Sequence, residues 1–174
     1  MKNYELTLVA AVGPDLGIGK DGSLVYKSSA DLRWFNRVTI GGTVIVGRKT
    51  FAEILLLTKS KGLPDRNVVV VSKNAGFSAA CPPSTVVVSS VDEAMQVASL
   101  KNAPIHVIGG GTIYEQMLPR ADRLLLTEFK ELKASDTFFP EFNEDFKEVA
   151  RRRLESLGED RKRTEADVVV YHRK

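Results

Sequence analysis

An α/β fold is predicted, with a central, mostly parallel eight-stranded sheet, four flanking helices and an antiparallel C-terminal strand. Three observations predict it. β-Branched runs alternate with helix-period segments through most of the chain, the pattern of strands joined by crossover helices. The runs are short and apolar on both faces, as suits strands covered by helices on either side. The tail departs from the alternation with two extended segments in succession, which suggests a closing antiparallel hairpin.

In chain order, the first strand runs from Leu6 to Val12. Its apolar stretch could open a signal peptide, but Glu5 at its edge and Pro14-Asp15 behind it fit a buried strand better. The loop from Gly13 to Lys27 carries Gly17, Gly19 and Gly22 and little that could fill a core. Long loops without structure of their own usually bind or cover something, so it reads as a lid over the carboxyl end of the first strand. Ser28 opens a helix over Ala30 to Thr39; strand Thr43 to Val46 then passes through Gly47 into helix Thr50 to Leu57. Strands Asn67 to Ser72 and Thr85 to Val88, helix Val91 to Leu100, strand Ile105 to Ile108, three glycines, helix Thr112 to Leu118 and strand Arg123 to Thr127 follow. Phe146 to Arg153 and Ala166 to Tyr171 form the hairpin around the turn-prone Ser156 to Asp160.

At 174 residues, 43% of them hydrophobic, the chain is expected to be one domain over residues 1–174, with a core large enough to hold a ligand cleft. The lone Cys81 excludes an internal disulfide and suggests a reducing, cytoplasmic setting. No apolar run approaches the roughly 18 residues of a membrane span. The basic runs Arg151-Arg152-Arg153 and Arg161-Lys162-Arg163 are answered by Glu148, Glu155, Glu159, Asp160 and Glu165, so neither nucleic acid nor a membrane surface is implied. His106, His172 and Cys81 lack metal-ligand spacing, so no metal is expected; His106 reads as a satisfied or edge histidine. No apolar surface stripe announces a partner, and a monomer is the expectation.

Three segments besides the lid could carry chemistry. Asp31, Phe35 and Val38 share one helical stripe, so a carboxylate stands among side chains that face the interior. It could be part of a capping box with Ser28, or it could carry a raised pKa and meet a polar ligand. Ile108-Gly109-Gly110-Gly111-Thr112 takes a strand through three glycines into a helix, where backbone can approach a ligand and free amides attract phosphate. Gly47-Arg48-Lys49-Thr50 repeats that strand-glycine-helix passage with two cations at the positive end of a helix. Those cations are either solvated surface groups or the partners of a phosphate-rich ligand.

Together these segments resemble the dihydrofolate reductase family in content and order. Ala10-Ala11 with Gly17-Ile18-Gly19, Asp31-Leu32 with Trp34-Phe35 and Thr39, Val44 to Phe51, Leu63 to Asn67, Ile108 to Tyr114, Leu126-Thr127 and Asp136 to Pro140 all match that family's motifs. The match spans essentially the whole chain. It implies an enzyme that reduces 7,8-dihydrofolate to tetrahydrofolate with NADPH, is open to antifolates such as methotrexate or trimethoprim, and serves one-carbon and thymidylate metabolism. The same fold would also suit a related reductase of riboflavin synthesis, or a nucleotide-binding protein without turnover.

By this resemblance Asp31 would bind the amino-pyrimidine edge of the pterin and promote protonation at N5, with Thr127 beside it. Val9, Ala10, Leu32, Phe35, Ile54 and Ile108 would wall the ring system, and Arg66 would hold the glutamate α-carboxylate. For the cofactor, Gly109, Gly110 and Gly111 would lie against the pyrophosphate with a cis Gly109-Gly110 peptide. Gly47, Arg48, Lys49, Thr50, Ser72, Lys73, Thr112 and Ile113 would surround the phosphates, Arg48 facing the 2′-phosphate, while Ala11, Ile18, Gly19 and Tyr114 would border the nicotinamide. One departure stands out. Val25-Tyr26 occupies the lid position where the family has Pro-Trp, and the Tyr26 hydroxyl could replace the missing indole donor. The stretch Leu55 to Lys61 is also longer and more basic than usual, which could alter how the folate tail is received.

Overall fold

The computed structural model describes residues 4–154 and 165–174, so the expected turn at Ser156 to Asp160 lies outside the described residues. The elements are β1 (Leu6–Val12), β2 (Gly17–Lys20), β3 (Ser23–Leu24), α1 (Ser29–Thr39), β4 (Thr43–Gly47), α2 (Arg48–Leu57), β5 (Asn67–Val71), β6 (Thr85–Val88), α3 (Val91–Ser99), β7 (Ile105–Val107), α4 (Gly111–Met117), β8 (Arg123–Phe129), β9 (Thr137–Phe138), β10 (Phe146–Arg153) and β11 (Ala166–Arg173). Eight of the strands form one sheet in the order β10-β11-β8-β1-β7-β4-β5-β6. From β8 to β6 every pairing is parallel, and β11 runs antiparallel to both β8 and β10. The expected mixed sheet is therefore present, with β11 as its reversed strand.

Alternate residues explain why the central strands look apolar throughout. Leu6, Leu8, Ile45 and Val69 point into a cluster covered by Val91, Ala94, Met95 and Ala98 of α3 and by Ile113 and Met117 of α4. Their neighbours Val9, Val44, Val46, Val68 and Val70 point the other way, onto Phe51 and Leu55 of α2 and Phe35 and Val38 of α1. A strand period of two thus feeds two cores from one sheet. The both-faces rule fails at the sheet edges, where one side of each strand lacks a neighbour: every residue of β10 after Phe146 is exposed.

Two further expectations change. The loop from Gly13 to Lys27 has structure of its own: β2 pairs with β3 and with the distant β9 in a second, three-stranded sheet. Glycine permits that approach, because a Cβ on Gly17 would lie 2.2 Å from Ser135 Oγ. The alternation was hidden by those glycines and by the brevity of the partners. Helix α2 also begins at Arg48, two residues before the expected Thr50, so both cations sit inside its first turn.

His106 is neither satisfied nor at an edge. It stands in the central β7, in register with Thr7 of β1 and Val44 of β4, and is 4% exposed, with Nδ1 buried and unpartnered.

Candidate active site

The carboxyl ends of β1, β4, β5 and β7 open on a cleft of about 660 Å³. Two strand-to-helix turns build its floor. Gly47 N donates to Gly109 O at 2.7 Å, and a Cβ on Gly47 would lie 3.1 Å from Ile113 Cγ1. A Cβ on Gly110 would meet Thr50 Oγ1 at 3.0 Å, and Gly109 holds φ +113°, a conformation that side chains rarely adopt. The Gly109-Gly110 peptide is cis. The interlock presents bare backbone to the cleft and leaves the amides at the starts of α2 and α4 facing it.

Charge in the cleft is mostly positive, with Glu53 as the one acid in its lining. The first turn of α2 holds Arg48 and Lys49 and no acid, and neither cation pairs with a carboxylate among the described residues. Lys20 and Lys73 line the same space. Cations crowd the positive end of a helix here with no carboxylate paired to them among the described residues, so the arrangement favours an anionic ligand. The glycine cradle and the spare positive charge together fit a phosphate-bearing dinucleotide.

All of the residues expected around the cofactor line this cleft: Ala11, Ile18, Gly19, Gly47, Arg48, Lys49, Thr50, Ser72, Lys73, Gly109, Gly110, Gly111, Thr112, Ile113 and Tyr114. Lys20, which the sequence placed in the lid, lines it as well, as do Glu53, Asn74 and Thr137, to which sequence reasoning assigned no role. Only the pairing of Gly19 with Thr137 brings that threonine in, and nothing local in the chain announces it. The lid wall is tied down by the segment before β9. Asp136 N donates to Gly19 O at 2.9 Å, and the Asp136 carboxylate accepts from Asp21 N at 2.8 Å, the bond that does most to hold its pKa low.

Asp31 lies beside the cleft, outside its lining. Ser28 Oγ accepts from Asp31 N at 3.3 Å, so the cap is real. The carboxylate does more than cap: its Oδ1 accepts from the hydroxyl of Thr127, buried in β8, at 2.6 Å. Burial raises the Asp31 pKa, and the Thr127 bond opposes the rise. Tyr114, whose hydroxyl donates to Val9 O at 2.7 Å, is held protonated first by burial and then by the charge of Asp31.

Of the expected pterin wall, Ala10 and Ile108 line the cleft, and Val9 and Ile108 share one apolar cluster with Phe35 and Ile54. Leu32 is 58% exposed. Arg66, just before β5, bonds only to neutral oxygens: Nε to Thr39 Oγ1 at 2.9 Å, Nη1 to Pro64 O at 2.7 Å and Nη2 to Asn36 Oδ1 at 2.8 Å. Its guanidinium also stands 5.8 Å from the centre of the Phe35 ring. Half-buried and without a carboxylate among its hydrogen-bond partners, it is a cation held in place, its charge disfavoured first by burial and supported from a distance by Asp65.

Tyr26 does not take the place of an indole donor in this site. Its ring stacks on Phe129 with centroids 4.6 Å apart, and its hydroxyl donates to Glu131 O at 2.8 Å, away from the cleft. The apolar ring finds its best burial under β8, and the buried hydroxyl must then find a partner there.

A mixed sheet whose strand ends carry a glycine cradle, unpaired cations and one buried carboxylate defines an α/β protein built to hold an anionic, phosphate-bearing ligand. The model of the dihydrofolate reductase family matches residues 5–173. Dihydrofolate reductase type 3 of Salmonella typhimurium is 38% identical over 137 residues, 79% of each chain. The dihydrofolate reductase of Bacillus subtilis is 34% identical over 140 residues, covering 80% of this chain and 77% of that one. Among solved structures, dihydrofolate reductase from Enterococcus faecalis complexed with NADP(H) and RAB-propyl superposes with a TM-score of 0.83 at 26% identity, covering 100% of this chain and 98% of that one. The chain belongs to the dihydrofolate reductase family.

Proposed function

We propose that Asp31 is the proton-managing group of this chain's reaction, the NADPH-dependent reduction of 7,8-dihydrofolate to tetrahydrofolate. The observation that carries the reading is the Asp31–Thr127 pair: a carboxylate raised by burial and fixed at 2.6 Å by a buried hydroxyl at the strand ends. Bound NADPH supplies the hydride that reaches C6. Asp31 holds the amino-pyrimidine edge of the pterin and, its proton affinity raised, promotes protonation at N5. Thr127 keeps the carboxylate oriented. Val9, Ala10, Phe35, Ile54, Ile108 and the exposed Leu32 supply the apolar surfaces that exclude water from the ring.

Arg66 grips the glutamate α-carboxylate of the substrate, its fork pre-set by bonds to Thr39, Pro64 and Asn36. Arg48, Lys49, Thr50, Ser72 and Lys73 receive the phosphates, Arg48 the 2′-phosphate, and the glycine turns let the pyrophosphate approach the backbone. Ala11, Ile18 and Tyr114 border the nicotinamide. The chain works as a monomer, with antifolates competing for the pterin wall. Steady-state NADPH oxidation with dihydrofolate, comparing the native chain with Asp31→Asn, tests the reading. Equal rates at neutral pH would remove Asp31 from the chemistry.

A further inference from the structure

The turn that carries Arg66's main anchor rests on a buried histidine that the reaction does not use. Thr39 Oγ1 accepts from Arg66 Nε at 2.9 Å and donates to Phe35 O at 2.8 Å. The turn continues through Gly41, at φ +76°, and Gly42, whose N donates to Thr39 O at 3.1 Å. It is stitched to the Arg66 strand from both sides, since Gly41 N donates to Asp65 O at 2.8 Å and Asn67 N donates to Gly42 O at 3.0 Å. Behind it stands His106. A methyl on Gly42 would lie 2.8 Å from His106 Nδ1, 3.0 Å from Cε1 and 3.0 Å from Pro104 O, so the ring edge packs closely against that glycine. The ring's Nδ1 has no hydrogen-bond partner. A buried nitrogen without a partner is a cost to the fold, and what the ring supplies in return is volume at this one spot.

We infer that His106 is a positioning residue for substrate: by packing behind Gly42 it fixes the Thr39–Gly42 turn, and through Thr39 and Asn36 it sets the direction of the Arg66 guanidinium toward the substrate's terminal carboxylate. The inference rests on the proposed role of Arg66. His106 touches neither pterin nor cofactor, so its effect falls on the glutamate-bearing end of the substrate alone.

The experiment measures the preference in kcat/KM for dihydrofolate over dihydropteroate, the same compound lacking glutamate, alongside the side-chain Nε–H signal of Arg66 in the ligand-free protein by 1H–15N NMR. His106→Ala is expected to shift or broaden the Nε–H signal and to cut the glutamate preference at least fivefold, with kcat for dihydropteroate changed less than twofold. His106→Met refills the volume with a side chain that adapts to irregular gaps, and it restores the preference to within twofold of native. Gly42→Ala, which drives a methyl into the ring, reproduces the loss in a chain that keeps its histidine. The double variant Gly42→Ala/His106→Ala recovers part of it, because one group occupies the space the other vacated.

An Nε–H signal unmoved by both His106→Ala and Gly42→Ala overturns the inference, as does a shifted signal with the native preference intact. If His106→Ala does not fold, Gly42→Ala and His106→Met carry the same test. Arg66→Leu separates the two levels. If it leaves the glutamate preference at the native value, the role of Arg66 fails on that measurement, and the inference fails with it.

Discussion

Asp31 and His106 are ionisable groups sunk at opposite ends of the same parallel strands. Asp31 sits where Ala11 pairs with Thr127, at the carboxyl end of β1; His106 pairs with Thr7 near its start. Burial favours the neutral form of each, raising the carboxyl and lowering the imidazole to about 4. The consequences are opposite. The carboxyl moves toward the pH at which an enzyme works, keeps a hydroxyl partner and lies beside an open cleft. The imidazole moves away from that pH, has no partner for Nδ1 and is boxed in by three strands. The same desolvation leaves one group beside an open cleft and the other sealed in the sheet, and access to a ligand makes the difference.

The sharpest way to break the contrast is Asp31→Asn. Turnover at neutral pH is expected to fall by about 10² to 10⁴, the usual worth of a positioned acid or base, with part of it returning as pH falls and substrate arrives protonated. The pH profile of kcat for both chains checks it. Arg66→Leu comes next. Dihydrofolate binding should weaken by roughly 2 to 4 kcal/mol, as for one partner of a desolvated charge pair, with NADPH affinity nearly unchanged. Titration calorimetry with each ligand separates the two.

The histidine end makes its own prediction. The unfolded chain protonates His106 near 6.5 and the folded chain only near 4, so its contribution is complete above about pH 6.5 and lost as pH falls toward 4. Arg123 and Arg66 oppose its charging and Glu5 favours it. The window is worth on the order of 3 kcal/mol, and urea midpoints between pH 7 and pH 4 should flatten in His106→Met. At the floor of the cleft, Gly109→Ala forces a side chain into φ +113° and is expected to cost about 1 to 3 kcal/mol, shared between stability and NADPH affinity. The smallest effect carries the opposite sign: a carboxyl with a raised pKa weakens the fold at neutral pH, so Asp31→Asn should be slightly more stable, read as a higher Tm by calorimetry.

Sequence pattern displayed the eight-stranded sheet because its central strands bury both faces, and a period of two filled with valine and isoleucine survives any context. It displayed the glycine-rich lining of the cleft equally well, since glycines and cations at strand-to-helix turns are local signals. The small sheet of β2, β3 and β9 was not legible. β2 and β9 lie more than a hundred residues apart, and Gly17 and Gly19, which make their pairing possible, read as loop. Tyr26 was misplaced for a related reason: a hydroxyl in a lid segment suggests a donor to the cleft, and only the position of Phe129 shows where the ring goes. His106 shows the limit from the other side, because a histidine within a short strand gives no sign of whether its nitrogens will find partners.

Among the described residues the edge strand β10 has one row of backbone groups without a sheet neighbour, and such a row can template another chain. Lys147, Glu148, Arg151, Arg152 and Arg153 are exposed along it, and the pairing with β11 shifts register between Glu148 and Ala150. Charge and irregularity act there as a fence against association. Because added salt screens that fence, the concentration at which the protein begins to precipitate should fall as ionic strength rises, even while every residue of the catalytic cleft is unaffected.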